Sequence, residues 1–308
     1  MRKFPDYITI FLKGMGMGAA DVVPGVSGGT IAFITNIYEE LIVSIRAVDL
    51  KALRLLITFK FVLFWKKING NFLLAVFAGI LVSVFSLAKL LKWLMNNEPV
   101  LIWSFFFGLI IASAIVVLKK VEKWNISRLL ALAAGTVAMF FITRFAPAQS
   151  TEAYWYIFLS GAIAICAMVL PGISGAFILL LLGKYKYILG AVSELNITVL
   201  AIFGLGVIAG LLSFANLLGW LFKRYHDLTI TVLAGFIIGS LNKIWPWKET
   251  ITSAVDSHGD SIPLIQHNIL PHTYSKISGQ PDQLSTALVL MVAAFSLVII
   301  MDRISKKT

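Results

Sequence analysis

Residues Asp21–Thr30 read DVVPGVSGGT and interrupt a stretch that is otherwise apolar enough for a membrane. Pro24 cannot continue a helix. The glycines at positions 25, 28 and 29 allow backbone conformations that other residues rarely adopt. Irregular backbone at membrane depth is tolerated only where protein or a water-filled cavity satisfies its polar groups. The stretch therefore predicts a broken helix with a functional role inside a membrane protein.

The composition indicates the class of protein. Of the 308 residues, 59% are hydrophobic and only 13% are charged. Several apolar runs approach the roughly 20 residues that cross a bilayer as a helix, and they are continuous rather than alternating, which argues against a β-barrel. The net charge of +11 is typical of basic cytoplasmic loops, so it does not call for a nucleic-acid partner. We predict a polytopic α-helical membrane protein.

Cysteine and histidine usage gives no sign of a metal centre. The single cysteine rules out an internal disulfide framework, and the four histidines show no spacing that is typical of metal ligands. We therefore predict no metal site and no bound cofactor. Coupling of the activity to H⁺ or Na⁺ stays open.

The chain repeats its own sequence. An offset of 147 residues places PGVSG (24–28) on PGISG (171–175). Further along, an offset of 127 residues places Ser86–Leu94 on Ser213–Leu221. The change from 147 to 127 is a 20-residue insertion in the first half. Duplicated halves built around broken helices are the sequence pointer to a transporter site.

Basic residues predict the orientation of the first half. They flank the first motif on both sides, from Arg2 to Lys13 and from Arg46 to Lys67, which places both flanks in the cytoplasm. Residues 7–45 must then enter and leave the membrane on the same face, as a re-entrant helical hairpin. The predicted spans that follow are 72–92, 100–118 and 128–145.

Three crossings are an odd number, so the second half begins outside and is inverted. The predicted elements of this half are a hairpin at 154–190, spans at 197–221, 228–245 and 285–301, and an external loop at 246–284. The predicted fold is an all-α integral membrane protein, an inverted repeat of residues 1–148 and 149–308. Each half is a re-entrant helical hairpin followed by three transmembrane helices, and the N-terminus is cytoplasmic.

The insertion at 49–68 reads DLKALRLLITFKFVLFWKKI, which is both basic and amphipathic. This pattern favours an interfacial helix on the anionic inner leaflet. A seventh span at this segment is the alternative.

The chemistry of the two motifs points to an anion. Ser27 is a good N-cap residue for the helix that follows it. A helix that starts there would present free N–H groups and about half a positive charge. Gly25, Gly28 and Gly29 would let a ligand approach the backbone, and the hydroxyls of Ser27 and Thr30 would add hydrogen bonds to it. The alternative is that each motif is only a tight turn that packs helix against helix.

The second motif supplies the matching residues Gly172, Ser174 and Gly175. With the orientation inverted, two helix N-termini would converge near the midplane from opposite faces. This arrangement suits one anionic group, such as a phosphate.

Four charged residues are further candidates, since charges within apolar segments are functional hypotheses by default. Asp21 has no counterpart in the second half, where Met168 takes its place. We expect Asp21 and Glu39 to take part in ion coupling, although Asp21 could instead cap backbone amides and Glu39 could be an ordinary interfacial residue. Arg144 and Lys184 could receive an anion from outside, or they could be ordinary interface anchors.

The stretches DVVPGVSGGT, ITNIYEELI and PGISG resemble the PopT family of bacterial polyprenyl-phosphate transporters, and the likeness covers essentially the whole chain. The resemblance implies a multi-pass plasma-membrane protein that returns undecaprenyl phosphate from the outer to the inner leaflet for cell-envelope synthesis. The family's signature maps onto eleven positions of this chain. They are Asp21, Pro24, Gly25, Ser27, Gly28, Gly29, Thr30, Pro171, Gly172, Ser174 and Gly175. Asn36 departs from the pattern where glycine is expected, and Gly183 holds the matching place.

An enzyme is the rival class. Undecaprenyl-pyrophosphate phosphatases also have duplicated halves, and their loop resembles PGxSRS. Here Gly28 and Gly29 replace the arginine and the second serine, and phosphoryl transfer needs a positively charged group against the negative phosphate oxygens. We therefore expect a transporter rather than an enzyme, with undecaprenyl phosphate and membrane lipids as partners. A transporter of a soluble anion is a further alternative. The sequence predicts no oligomeric state.

Overall fold

The computed structural model describes residues 2–23, 26–145, 150–255 and 261–305. In this part of the chain the regular structure is helical except for one β-hairpin. The first half contains α1 Phe4–Val22, α2 Gly28–Ile34, α3 Tyr38–Arg46, α4 Leu50–Ile57, α5 Phe61–Lys67, α6 Gly70–Asn97, α7 Pro99–Leu118 and α8 Ile126–Ile142. The second half contains α9 Tyr154–Val169, α10 Gly175–Leu181, α11 Tyr185–Ser193, α12 Ile197–Arg224, α13 His226–Ser240, β1 Lys248–Val255, β2 Ser261–Asn268, α14 Pro271–Ser278 and α15 Leu284–Ser305.

Four of the described helices are long and apolar enough to cross a membrane: α6, α7, α12 and α15. Helices α10 and α11 meet at an angle of 110° and together pass the same test as a bent pair. The apolar helices α8, α9 and α13 are shorter, at 17, 16 and 15 residues. The chain is therefore a mostly helical, multi-pass membrane protein, as the sequence predicts.

The two halves carry matching sets of helices. Helices α2 and α10 each have seven residues, α3 and α11 each have nine, and α6 and α12 each have 28. Their first residues are separated by the sequence offsets of 147, 147 and 127 residues. The contacts correspond as well, since α1 packs on α6 as α9 packs on α12, while α7 packs on α15 and α13 packs on α8. The inversion of the two halves across the membrane stays a prediction.

Glycines bring the paired helices close together. A Cβ on Gly14 or Gly79 would overlap the backbone of the facing helix in the α1–α6 pair. Gly161 and Gly206, at the same offsets, do the same in the α9–α12 pair. Helix pairs in membranes associate through such small residues, because apolar side chains gain little from leaving lipid. Backbone contact therefore holds α1 against α6 and α9 against α12.

The insertion at 49–68 forms α4 and α5, two short helices that join where Phe59 adopts a left-handed conformation (φ 56°). Leu50, Ile57 and Val62 on these helices are largely exposed. A helix of seven or eight residues is far shorter than the roughly 20 residues of a span. Exposed apolar side chains beside basic ones suit the predicted interfacial position.

The segment at 246–284, predicted as a loop, contains the β-hairpin and α14. Strands β1 and β2 are antiparallel, with Lys248 opposite Asn268. Two tryptophans anchor the segment: Trp245 donates to the Ile269 carbonyl at 2.9 Å, and the buried Trp247 donates to the Asp282 carbonyl at 2.8 Å. The hairpin is thereby fixed over the ends of the neighbouring helices.

Candidate functional site

The first motif forms the tip between α1 and α2, and it is built around a helix N-terminus. Ser27 has extended backbone (φ −128°, ψ 133°) and its hydroxyl accepts from the Gly29 N–H at 3.1 Å, so it is the predicted N-cap. All seven residues of α2 are buried. Gly25 and the preceding proline lie outside the described residues.

The carboxylate of Asp21 occupies the same helix N-terminus. Its Oδ1 accepts a hydrogen bond from the Gly28 N–H at 2.7 Å. A negative charge at this position is favourable, because the first N–H groups of a helix lack internal partners and carry partial positive charge. The prediction of free N–H groups at Gly28 and Gly29 is therefore wrong for this tip. The Asp21 carboxylate therefore caps this helix, which is the alternative that the sequence left open.

Two lysines complete the other end of α2. The Lys13 ammonium donates to the Thr35 carbonyl at 2.7 Å, and the Lys120 ammonium donates to the Phe33 carbonyl at 3.2 Å. Cations at a helix C-terminus complement its partial negative charge. The short buried helix thus has a carboxylate at one end and ammonium groups at the other.

The second motif forms the tip between α9 and α10, and its N-terminus is open. Ser174 precedes α10 but makes no side-chain cap hydrogen bond. Met168 stands beside Gly175, since a Cβ on that glycine would lie 3.2 Å from the Met168 Cβ. Asp21 lies beside Gly28 in the corresponding way. A Cβ on Gly28 would lie 2.5 Å from a carboxylate oxygen of Asp21. Only Phe177 of the α10 residues is buried.

The two tips are hydrogen-bonded to each other. The Ser27 hydroxyl is within 3.2 Å of the Met168 carbonyl and 3.1 Å of the Leu170 carbonyl, and the Gly172 N–H donates to the Thr30 hydroxyl at 2.9 Å. Gly29 makes this approach possible, because a Cβ there would lie 2.6 Å from the Val169 carbonyl oxygen. The residues of the two motifs thus contact each other, while their approach from opposite faces near the midplane stays a prediction.

The same bend follows each short helix. Asn36 after α2 has φ 60°, and Gly183 after α10 has φ 65°. Both values lie in the left-handed region, which glycine adopts freely and asparagine tolerates better than most residues. The asparagine at the place of the expected glycine therefore preserves the turn.

The remaining candidates lie apart from the tips. Glu39, in the first turn of α3, is about half exposed and lies 3.4 Å from the ring of His226. Lys184 is buried, with its ammonium 4.6 Å from the ring centre of Tyr187 and 5.5 Å from that of Tyr156. Arg144, just after α8, stacks over Phe140 and lines a cavity that also reaches α10. Their roles stay predictions.

Sequence reasoning missed three cations. Lys243 and Lys248 line the same cavity as Arg144, because the β-hairpin folds back over the helix ends. Lys120 reaches α2 from the end of α7, across 87 residues of sequence. The only available signal for Lys243 and Lys248 was their position beside tryptophans after α13.

A multi-pass helical protein whose two broken helices meet at polar tips is built as a membrane transporter. The chain belongs to the family described as VCA0040-like, undecaprenyl phosphate translocase-like, whose sequence model matches residues 17–262.

Two relatives agree with this membership. One from Vibrio cholerae, named polyprenyl-phosphate transporter, is 48% identical over 305 residues and 99% of each chain is covered. Another from Staphylococcus aureus, with the same name, is 31% identical over 258 residues, which cover 78% of this chain and 86% of that protein. No solved structure matches the chain.

Proposed function

We propose that this protein carries undecaprenyl phosphate from the outer to the inner leaflet of the bacterial plasma membrane. Membership of the translocase-like family and the names of both relatives support a polyprenyl phosphate as the substrate. The basic flanks of the first hairpin support a cytoplasmic N-terminus. The protein acts as a transporter without catalysing a reaction, and its substrate is a lipid of its own membrane.

The observation that carries the proposal is the direct contact between the two motifs. Ser27 and Thr30 of the first tip bond to the backbone at Leu170 and Gly172 of the second. Polar backbone from both halves is thereby gathered at one place, between helices that are otherwise apolar. A lipid head group needs such a place to cross the hydrocarbon, since unpaired polar groups there cost several kcal/mol each.

Of the two tips, the second binds the phosphate before the first. Its helix N-terminus has no carboxylate, and Gly175 and Ala176 are partly or fully exposed. A phosphomonoester carries about −1.5 to −2 charges near pH 7. Hydrogen bonds to such a charged group contribute about 1.5 to 3 kcal/mol each. Backbone N–H groups and the Ser174 hydroxyl would supply several of them.

Transfer to the first tip requires an exchange of anions. The Asp21 carboxylate must leave the Gly28 N–H before the phosphate can bind there, and the Thr30–Gly172 hydrogen bond must open. The displaced carboxylate is then free to take up H⁺ or Na⁺. Return of Asp21 expels the phosphate toward the inner leaflet. Asp21 thus couples the movement of the lipid to an ion, with Glu39 near the cytoplasmic face as a second candidate.

Leaflet-resolved transport tests the proposal. The purified chain is placed in liposomes with labelled undecaprenyl phosphate in one leaflet, and its appearance in the other leaflet is followed. We expect movement well above that with an unrelated membrane protein, and none of neutral undecaprenol. Equal rates with the chain and with the unrelated protein would contradict the proposal.

A hydrolysis assay separates the transporter from the phosphatase class. The purified chain is incubated with undecaprenyl pyrophosphate, and released phosphate is measured. We expect no release above the background of an unrelated membrane protein, because the first motif has glycines at the places of the arginine and the second serine. Steady turnover would assign the chain to the enzymes.

A further inference from the structure

A cavity of about 510 Å³ lies beside the second tip. It is enclosed by the ends of α8 and α13, by strand β2 and by Phe177 of α10. Phe177 follows Gly175 of the second motif by two residues. The cavity therefore lies between the segment at 246–284 and α10, the helix that the second motif precedes.

The polar side of the cavity is held in place by hydrogen bonds between three elements. The Asn268 amide of β2 donates to the backbone carbonyl of Asn242 at 2.8 Å and to its side-chain oxygen at 3.1 Å. The Asn242 amide donates in turn to the Thr143 hydroxyl at 2.8 Å. The β-hairpin is thus tied to the ends of α13 and α8, and the cavity is organised before any ligand binds.

Three cations line the cavity: Arg144, Lys243 and Lys248. Each lies over an aromatic ring rather than beside a carboxylate, at 4.6 Å from Phe140, 4.8 Å from Phe177 and 3.7 Å from Trp103, respectively. Within the described ranges none of the three makes an ion pair, and the lining residues include no Asp or Glu.

Lys248 is the clearest sign of a missing anion. Its ammonium nitrogen is buried and has no hydrogen-bond partner among the described residues. Burial, together with the nearby Lys243 ammonium, lowers the pKa of Lys248 well below its ordinary value. A buried cation is costly unless it is paired. An anion in the cavity would supply the opposite charge that these side chains lack.

We propose that this cavity is a phosphomonoester site, in which the lipid head group is held before it reaches the second tip. The inference rests on the proposed function and adds a site to it. Arg144, Lys243 and Lys248 supply positive charge for the phosphate. Phe145, Phe177 and Ile265, which also line the cavity, supply apolar surface for the first isoprene units. The ligand is therefore a phosphate that carries a short apolar segment.

Binding of soluble probes to the full-length protein tests this site. Farnesyl phosphate stands in for the lipid, and inorganic phosphate tests whether the phosphate alone is bound. The variants are Arg144→Gln and Lys243→Gln, with Lys243→Arg to restore the charge. Lys223→Gln, on an exposed lysine in the last turn of α12, is the matched control.

We expect each glutamine variant to weaken farnesyl-phosphate binding about tenfold, as the loss of one charge-assisted hydrogen bond implies. Lys243→Arg and Lys223→Gln should bind as the wild type does. Inorganic phosphate should bind far more weakly than farnesyl phosphate. Arg144 is exposed, so its variant should fold even if a change at Lys243 disturbs the helix end, and thermal unfolding checks both.

Two outcomes of the binding measurement would overturn the inference. Unchanged binding of farnesyl phosphate by the folded Arg144→Gln variant would remove the cavity from the pathway. Equal affinity for inorganic phosphate would make it a site for free anions.

The liposome assay keeps the two proposals separate. If the wild type and the cavity variants move the lipid equally fast, only the cavity proposal fails. If the wild type moves none, the proposed function fails, while binding that is lost in the variants would still support a phosphomonoester site.

Discussion

The two broken helices α2 and α10 have the same length and the same turn after them, yet opposite surroundings. Helix α2 is wholly buried, with Asp21 at its N-terminus and Lys13 at its C-terminal end. Most residues of helix α10 are only partly exposed, Met168 takes the place of the aspartate, and the buried Ser174 makes no cap hydrogen bond. One helix N-terminus is capped by a carboxylate, whereas the other has neither a carboxylate nor a serine cap among the described residues.

In the proposed mechanism, this difference gives a direction to transport by an otherwise duplicated molecule. If both tips were open, a phosphate would have no reason to prefer either, and if both were capped, neither would bind it. A carboxylate at one tip alone creates two unequal sites and an anion that competes at only one of them. Substitutions that make one tip resemble the other, or that change matching residues in both, test this difference.

The largest effect is expected from Met168→Asp, which gives the second tip the carboxylate of the first. The new side chain would lie beside the Gly175 N–H and repel the phosphate. Two unit charges 4 Å apart repel by about 4 kcal/mol at the dielectric typical of pairs near a protein surface. We expect lipid transport in liposomes to fall at least about a hundredfold.

Met168→Asn is the matched control, because it has nearly the same shape without the charge. It should transport within a few-fold of the wild type at equal membrane abundance. Since Met168 is 38% exposed, both variants should fold. Equal loss in the aspartate and asparagine variants would show that the shape at this position matters and that no anion binds there.

Asp21→Asn makes the first tip resemble the uncharged second one. The amide oxygen can still accept from Gly28, but it competes less with phosphate and cannot exchange an ion. We expect farnesyl-phosphate affinity to hold or rise, while the transport rate falls about tenfold, the effect of one charge-assisted hydrogen bond. A parallel loss of affinity and rate would indicate that Asp21 only supports the structure.

Ser27→Ala and Ser174→Ala compare the two N-caps. The Ser27 hydroxyl caps Gly29 and bonds to carbonyls of the second tip, so its loss should lower the free energy of unfolding by about 1 to 3 kcal/mol. The Ser174 hydroxyl is buried but makes no cap bond, so its loss should cost less than the loss of the Ser27 hydroxyl, by about 1 kcal/mol. Reversible unfolding in detergent measures both, and equal costs would contradict the difference between the caps.

The smallest effect concerns the turns at Asn36 and Gly183. Both adopt left-handed backbone, so the exchanges Asn36→Gly and Gly183→Asn should each change stability by less than about 1 kcal/mol. Gly183→Ala should cost about 1 to 2 kcal/mol, because alanine has no polar group to favour that conformation. The same unfolding measurement applies. An asparagine at 183 as costly as alanine would show that the two turns are not equivalent.

The sequence contained the information for the helices and for the cap. Ser27 is recognisable from its type and position, and the matching of α6 with α12 follows from a repeat that can be read directly. The capping by Asp21 could not be predicted with certainty, because it depends on how tightly the chain folds back between positions 21 and 28.

Other features depend on distant parts of the chain. The contact between Thr30 and Gly172 joins residues 142 positions apart, and only the packing of the two halves brings them together. The β-hairpin lies where the sequence predicts an external loop, although KETITSAV is rich in strand-forming residues, because a long polar segment between spans is typical of a loop. The cavity at Lys243 and Lys248 was missed with it, since the hairpin forms one of its walls.

We propose that the two tips form two adjoining phosphate sites, and that the Asp21 carboxylate competes with the phosphate at the first of them. The structure of the protein determined with farnesyl phosphate bound tests this most directly. We expect phosphate oxygens within hydrogen-bonding distance of the Ser174 hydroxyl and of the first N–H groups of α10. In a second bound state, the phosphate would lie at Gly28 with the Asp21 carboxylate displaced. Phosphate bound only elsewhere, with both tips unchanged and Asp21 still on Gly28, would contradict it and reduce the two motifs to structural turns.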